Sequence, residues 1–181
     1  MAFVPLNTNN STLSNYNNVN NALRDLNNKK IKNDDLSITA GQPGGVWKSW
    51  TPTWANLTVG NGTGDYKYTQ IGKTIIARFS FTFGSTSAMG SNPTLTLPVT
   101  PNASYINTNQ RTYLSGDLHI EDNLTAGYNG WVRFQGSPVV LAIGVYNATV
   151  TYTGLTGMSA TVPMSWSTSD FFYGQVTYEA A

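Results

Sequence analysis

From Thr74 to Phe83 the chain alternates without a break: Ile75, Ala77, Phe79, Phe81 and Phe83 fall on one side of an extended backbone, and Thr74, Ile76, Arg78, Ser80 and Thr82 on the other. A period of two is the signature of a strand whose two faces meet different surroundings. On a helix the same five apolar residues would be scattered around the axis and could form no common face. The segment therefore predicts a long strand with one side in a core. Turn chemistry precedes it: Gly60-Asn61-Gly62 and Gly64 supply residues that tolerate positive φ, Tyr66 to Gln70 alternates, and Ile71-Gly72-Lys73 reads as a tight hairpin turn.

The pattern continues to the C-terminus. Leu57 to Val59 and Thr94 to Leu97 read as short strands, the latter stopped by Pro98 and Pro101. Further strands are expected at Tyr113–Ile120, Trp131–Phe134, Val139–Val145, Ala148–Tyr152, Ser159–Pro163 and Phe171–Tyr178. Strands of this length, separated by turn signals and not interrupted by a helical period, predict an all-β domain. The expected architecture is an antiparallel β-sandwich, jelly-roll-like.

The first 46 residues differ. They are rich in Asn and contain no Trp, and Gly41, Pro43, Gly44 and Gly45 mark a linker. The expected division is an N-terminal segment with linker, 1–46, and a β-domain, 47–181. Tyr16, Val19, Leu23 and Leu26 recur at spacings of three, four and three, the spacing of a coiled-coil seam. Two heptads are marginal alone and need partners to cover the stripe. A short coiled coil in an oligomer, a helix laid on its own domain or another protein, and a disordered arm are the three readings this segment allows.

Composition excludes several function classes. Of the 181 residues, 10% are charged and 12% aromatic, with a formal net charge of +1. Such a chain has no field to steer nucleic acid or anionic membranes. With no cysteine there are no disulfides, thiolate zinc sites or thiol catalysis. The N-terminus lacks the basic and apolar regions of a signal peptide, and no apolar run is long enough to span a bilayer. Manufacture in a reducing cytoplasm and release by cell lysis is the expected route.

No catalytic or metal site is expected, and no cofactor. His119, the only histidine, lacks the nucleophile elbow of a hydrolase. Asp117, Glu121 and Asp122 cluster near one strand end, where they could flank a sugar as acid and base or hold calcium. They match no calcium loop, and solvated loop carboxylates are commonplace. The aromatics are the better candidates, because a sugar's C–H face stacks on a flat ring while Asn or Asp neighbours bind its hydroxyls. Trp54 and Trp166 are expected in the core and Asp170 in a turn. Tyr105, Tyr128 and Trp131, beside Asn- and Gly-rich loops, are the expected glycan contacts.

From Trp50 to Ala181 the chain resembles a β-domain found near the C-termini of tail fibres and minor tail proteins of double-stranded DNA bacteriophages. The resemblance runs through Trp50-Thr51-Pro52-Thr53-Trp54, Gly60-Asn61-Gly62, Tyr66–Tyr68, Ile71-Gly72-Lys73-Thr74, Phe83-Gly84-Ser85 and Leu97-Pro98-Val99. It resumes at Thr161-Val162-Pro163, Trp166, Ser169-Asp170 and Val176-Thr177-Tyr178-Glu179. It implies a non-enzymatic virion component, often trimeric and often in contact with the host surface. The expected function is that of a tail fibre or tail-tip protein contacting a host-surface glycan. It would be a homotrimer joined to other virion proteins through its N-terminal segment, with no nucleic acid bound and no membrane insertion. The competing expectations are a head-fibre or capsid decoration protein and, from other classes, a carbohydrate-binding module or a polysaccharide depolymerase.

Overall fold

A computed structural model describes residues 16–24, 45–105, 112–123, 125–136, 139–149 and 153–181. The chain divides into two units, Met1–Gly45 and Val46–Ala181. In the first, residues 16–24 form a helix, α1. The second is all-β. Its strands are β1 (Lys48–Ser49), β2 (Trp54–Thr58), β3 (Thr63–Ile71), β4 (Thr74–Thr82), β5 (Ala88–Thr96), β6 (Thr112–Asp122), β7 (Ala126–Gln135), β8 (Val140–Asn147), β9 (Gly154–Gly157) and β10 (Phe171–Glu179), with a 3₁₀ turn at Ala103–Tyr105.

All pairings are antiparallel. They join into one ladder in the order β1-β3-β4-β10-β6-β7-β8-β5-β2, with β9 added to β8. The all-β, antiparallel expectation holds, but the strands make one continuous sheet and do not divide into two. The ladder must curl. Its end strands β1 and β2 are joined by residues 50–53 alone, a link that spans at most about 18 Å. Trp50 fastens the two edges: its amide donates to Tyr66 O in β3 at 3.2 Å, and its indole N–H donates to Thr96 O in β5 at 3.3 Å.

The alternation of β4 does what its sequence requires. Ile75, Ala77, Phe79, Phe81 and, just past the strand, Phe83 are all buried. Across the ladder Phe79 sits beside Gly174, then Leu118, then Gly130. Bulky and absent side chains thus alternate, and a Cβ on Gly174 would stand 2.6 Å from the tip of Phe79. The hairpin turn at Gly72 has φ +58, a conformation that disfavours any residue with a Cβ. Trp54 and Trp166 lie against the core as expected, Trp54 bonding Tyr66 through its indole N–H at 3.1 Å and Trp166 stacking on Phe83 at 4.7 Å. Asp170 is wholly buried and fixes a turn, its carboxylate accepting from the amide and hydroxyl of Ser167.

Three local expectations change. Ser159–Pro163 is a turn closed by a single Ser159–Val162 bridge, with a cis peptide before Pro163. β8 ends at Asn147, whose side chain accepts from the Thr149 amide at 2.9 Å, and residues 150–152 of the expected Ala148–Tyr152 strand lie outside the described residues. The short strand expected at Thr94–Leu97 is longer and begins earlier, since β5 runs from Ala88 to Thr96.

Tyr178 carries a consequence for pH. Its hydroxyl donates to Val99 O at 2.8 Å and tethers the segment after β5 to β10. Burial pushes its pKa well above the ordinary tyrosine value, partly offset by the bonds to Val99. The neutral phenol is thus favoured in the folded state, so this stability is complete below about pH 10 and is lost as pH rises above it. Tyr66 is raised in the same direction by burial. Tyr178→Phe is expected to lose about 0.5–1.5 kcal/mol at neutral pH but to show a shallower loss above pH 10, read as urea midpoints across an alkaline series. An unchanged alkaline slope would refute this assignment.

Candidate functional site

Strands β3, β4, β10, β6 and β7 lie side by side, and the residues that alternate with the core point to the outer surface. Register places them in two rows. One runs Asp65, Ser80, Tyr173, His119, Asn129; the next runs Lys67, Arg78, Gln175, Asp117, Trp131. Asp65, Arg78, Ser80, Asp117, His119, Asn129, Tyr173 and Gln175 surround an open groove of about 430 Å³. Its floor is the outer side of Phe79, Gly174 and Leu118, whose positions in the alternation belong to the core face. The volume falls within the usual range for small-molecule sites, about 300–1,000 Å³.

The floor is firm because its central strand, β10, is hydrogen-bonded on both edges. Tyr173 stands at its middle with 53% of its surface exposed. Its ring leans on His119, centroid to centroid 5.1 Å at 37°. His119 Nε2 lies 3.0 Å from Glu121 Oε2. At one end the Arg78 guanidinium lies over the exposed Trp47 ring, 4.5 Å from its centroid. Lys67 Nζ is 3.5 Å from Asp65 Oδ1 and donates to Ser49 Oγ at 3.0 Å. So exposed an ion pair adds little stability; its effect is to neutralise the two groups.

The sequence-predicted contacts do not converge here. Tyr128 alternates to the core side of β7 and is half-buried against the core. Tyr105 ends the 3₁₀ turn, and its side chain lies outside the described residues. Trp131 faces outward yet is 2% exposed, which corrects its assignment as a glycan contact. Its ring lies across Gly144, the Arg133 guanidinium covers it at 4.4 Å, and its indole N–H donates to Val145 O at 3.0 Å. No free face is left for a sugar. On α1, Tyr16, Val19 and Leu23 are all exposed, forming one stripe, while Leu26 lies outside the described residues.

Of the carboxylate cluster, Asp117 and Glu121 share the outer face, Glu121 being held by His119. Four strand residues set their backbones roughly 13 Å apart along the strand. Asp65 and Asp117 are separated by two intervening strands, about 14 Å. Among the described residues no three His, Asp or Glu side chains are placed to hold a metal ion, and no helix is long and apolar enough to cross a membrane. The residues missed by sequence reasoning, Arg78, Ser80, Asn129, Tyr173 and Gln175, carry one shared signal: each is the polar or amphipathic partner in a period-two pattern.

No family model, no curated protein and no solved structure matches the chain.

Proposed function

We propose that this protein is a non-enzymatic structural protein of a tailed-phage virion, a tail fibre or tail-tip component that contacts a host-surface glycan. The observation that carries the reading is the outer-face groove: a firm five-strand floor, an exposed tyrosine ring at its centre, and amide, carboxylate, hydroxyl and guanidinium groups around it. The motif series from Trp50 to Glu179 supports the virion setting. The exposed stripe of Tyr16, Val19 and Leu23 supports association through the N-terminal segment, with a homotrimer as the preferred assembly and other virion proteins as neighbours. An open groove of this kind binds weakly, and several copies on one particle supply the avidity.

Fluorescently labelled protein applied to bacterial cells tests the reading. Labelling of a host strain is expected. The double change Val19→Asp and Leu23→Asp is expected to reduce the mass in light scattering to that of a monomer and to weaken labelling, while the β-domain stays folded by circular dichroism. Cells left dark by the unchanged protein, which electron microscopy then locates on the capsid, would replace host contact with decoration. An unchanged mass in the double variant would remove the assembly role of the stripe.

A further inference from the structure

Which sugars such a groove accepts follows from how its charges are already placed. Lys67 is matched by Asp65, and Glu121 is hydrogen-bonded to His119. Arg78 and Asp117 also line the groove, and neither forms a salt bridge among the described residues. Register puts Gln175 directly between them, paired with Arg78 on one side and Asp117 on the other. Their backbones are therefore two strand spacings apart, about 9–10 Å, and no salt bridge joins the two side chains. Arg78 offers only N–H donors, even with its face on Trp47, and an ionised Asp117 offers only acceptors. The Asn129 and Gln175 amides, with no hydrogen-bond partner among the described residues, supply both kinds. Tyr173 presents an open ring in the adjoining row, beside Gln175 on the same strand.

We propose that this groove is a subsite for an uncharged pyranose of a host polysaccharide. Tyr173 is the stacking platform, Asp117 accepts a pair of neighbouring hydroxyls, and Arg78 donates to a hydroxyl or ring oxygen at the opposite end. The two charges are of opposite sign and cancel, so the groove has no net attraction for an anionic or a cationic sugar. A neutral polyol carries donors and acceptors on every carbon and suits both ends. The inference rests on the glycan-binding reading above and narrows it to a site and a chemical class.

Affinity electrophoresis of the full chain tests it, in gels holding dextran, yeast mannan or galactan on one side and polygalacturonate or alginate on the other. Retardation is expected in at least one neutral gel and in neither acidic one. Tyr173→Ala and Asp117→Ala should each weaken it roughly tenfold, equivalent to about 1.4 kcal/mol. Tyr173→Phe keeps the ring and should retain most of the effect. Tyr146→Ala, an exposed ring on β8 outside the groove, should change nothing. Retardation only in acidic gels, or in none, overturns the neutral subsite. Retardation untouched by Tyr173→Ala and Asp117→Ala also overturns it, yet leaves glycan binding standing elsewhere on the molecule. Should Tyr173→Ala lower the mass in light scattering, the groove is an interface between copies and the proposal fails. Host-cell labelling by the unchanged protein reports separately on the broader reading.

Discussion

Phe172→Ala is expected to cost about 3–5 kcal/mol, a loss comparable with much of the whole stability of such a domain, roughly 5–15 kcal/mol. The reason is position. Phe172 is fully buried on β10, and five rings from three separate parts of the chain converge on it. Trp54 stands at 5.7 Å, Phe81 at 5.8 Å, Phe83 and Trp166 at 6.3 Å, and Phe79 at 6.5 Å. Trp54 comes from the last strand of the ladder and Phe79 from the third, so this one side chain meets both arms of the curl. Removing it opens a cavity that a curled sheet held at both ends cannot easily collapse to fill. A fall in melting temperature of roughly 6–20 °C follows. Tyr173→Ala, one residue along the same strand but pointing outward, should stay within about 0.5 kcal/mol of the unchanged protein. Equal losses at the two positions would mean that the inside-outside assignment of β10 is wrong. The contrast also protects the binding experiment, because a weakened Tyr173→Ala variant that is fully folded can only have lost contacts.

How much of this was legible beforehand depends on the range of the interaction. The facing of β4 was written in five alternating residues, and the turns at Gly60 and Gly72 in the φ each must adopt. Those are local constraints, settled within a few bonds. The curl of the sheet was not local: it depends on β1 pairing with β3 and β2 with β5, choices made by hydrogen bonds between distant segments. The groove lies at the same level. Asp65, Arg78, Asp117, Asn129 and Gln175 come together only because β10 inserts between β4 and β6. Taken alone, each is an ordinary outward-facing strand residue. Asp117 and His119 had been weighed as catalytic or metal groups, and their sequence neighbours gave no hint that Tyr173, more than fifty residues on, would lie beside His119.

Trp131 shows the same limit from the other side, and it supports a strong prediction. Glycine- and asparagine-rich surroundings marked it as a display position. Its burial comes from register: β7 and β8 set it opposite Gly144, the one residue type with no side chain to hold the ring off the sheet. A Cβ on Gly144 would meet Trp131 Cζ2 and the backbone oxygen of Thr156, both well inside contact distance. The ring has nowhere to retreat under Arg133, and β9 is fixed to β8 by pairing at Gly157. Gly144→Ala is therefore expected to destabilise by the upper part of the overpacking range, about 1–3 kcal/mol, and to move the tryptophan emission to longer wavelength as an indole is lifted toward water. Because the ring is one of the two obstacles, Gly144→Ala combined with Trp131→Ala should cost less than the sum of the single changes, by at least about 0.5 kcal/mol. Strict additivity would show that the ring is not seated on Gly144. A Gly144→Ala variant that gained affinity for neutral polysaccharide would restore Trp131 to the role its neighbours first suggested, since freeing the ring is what that role requires.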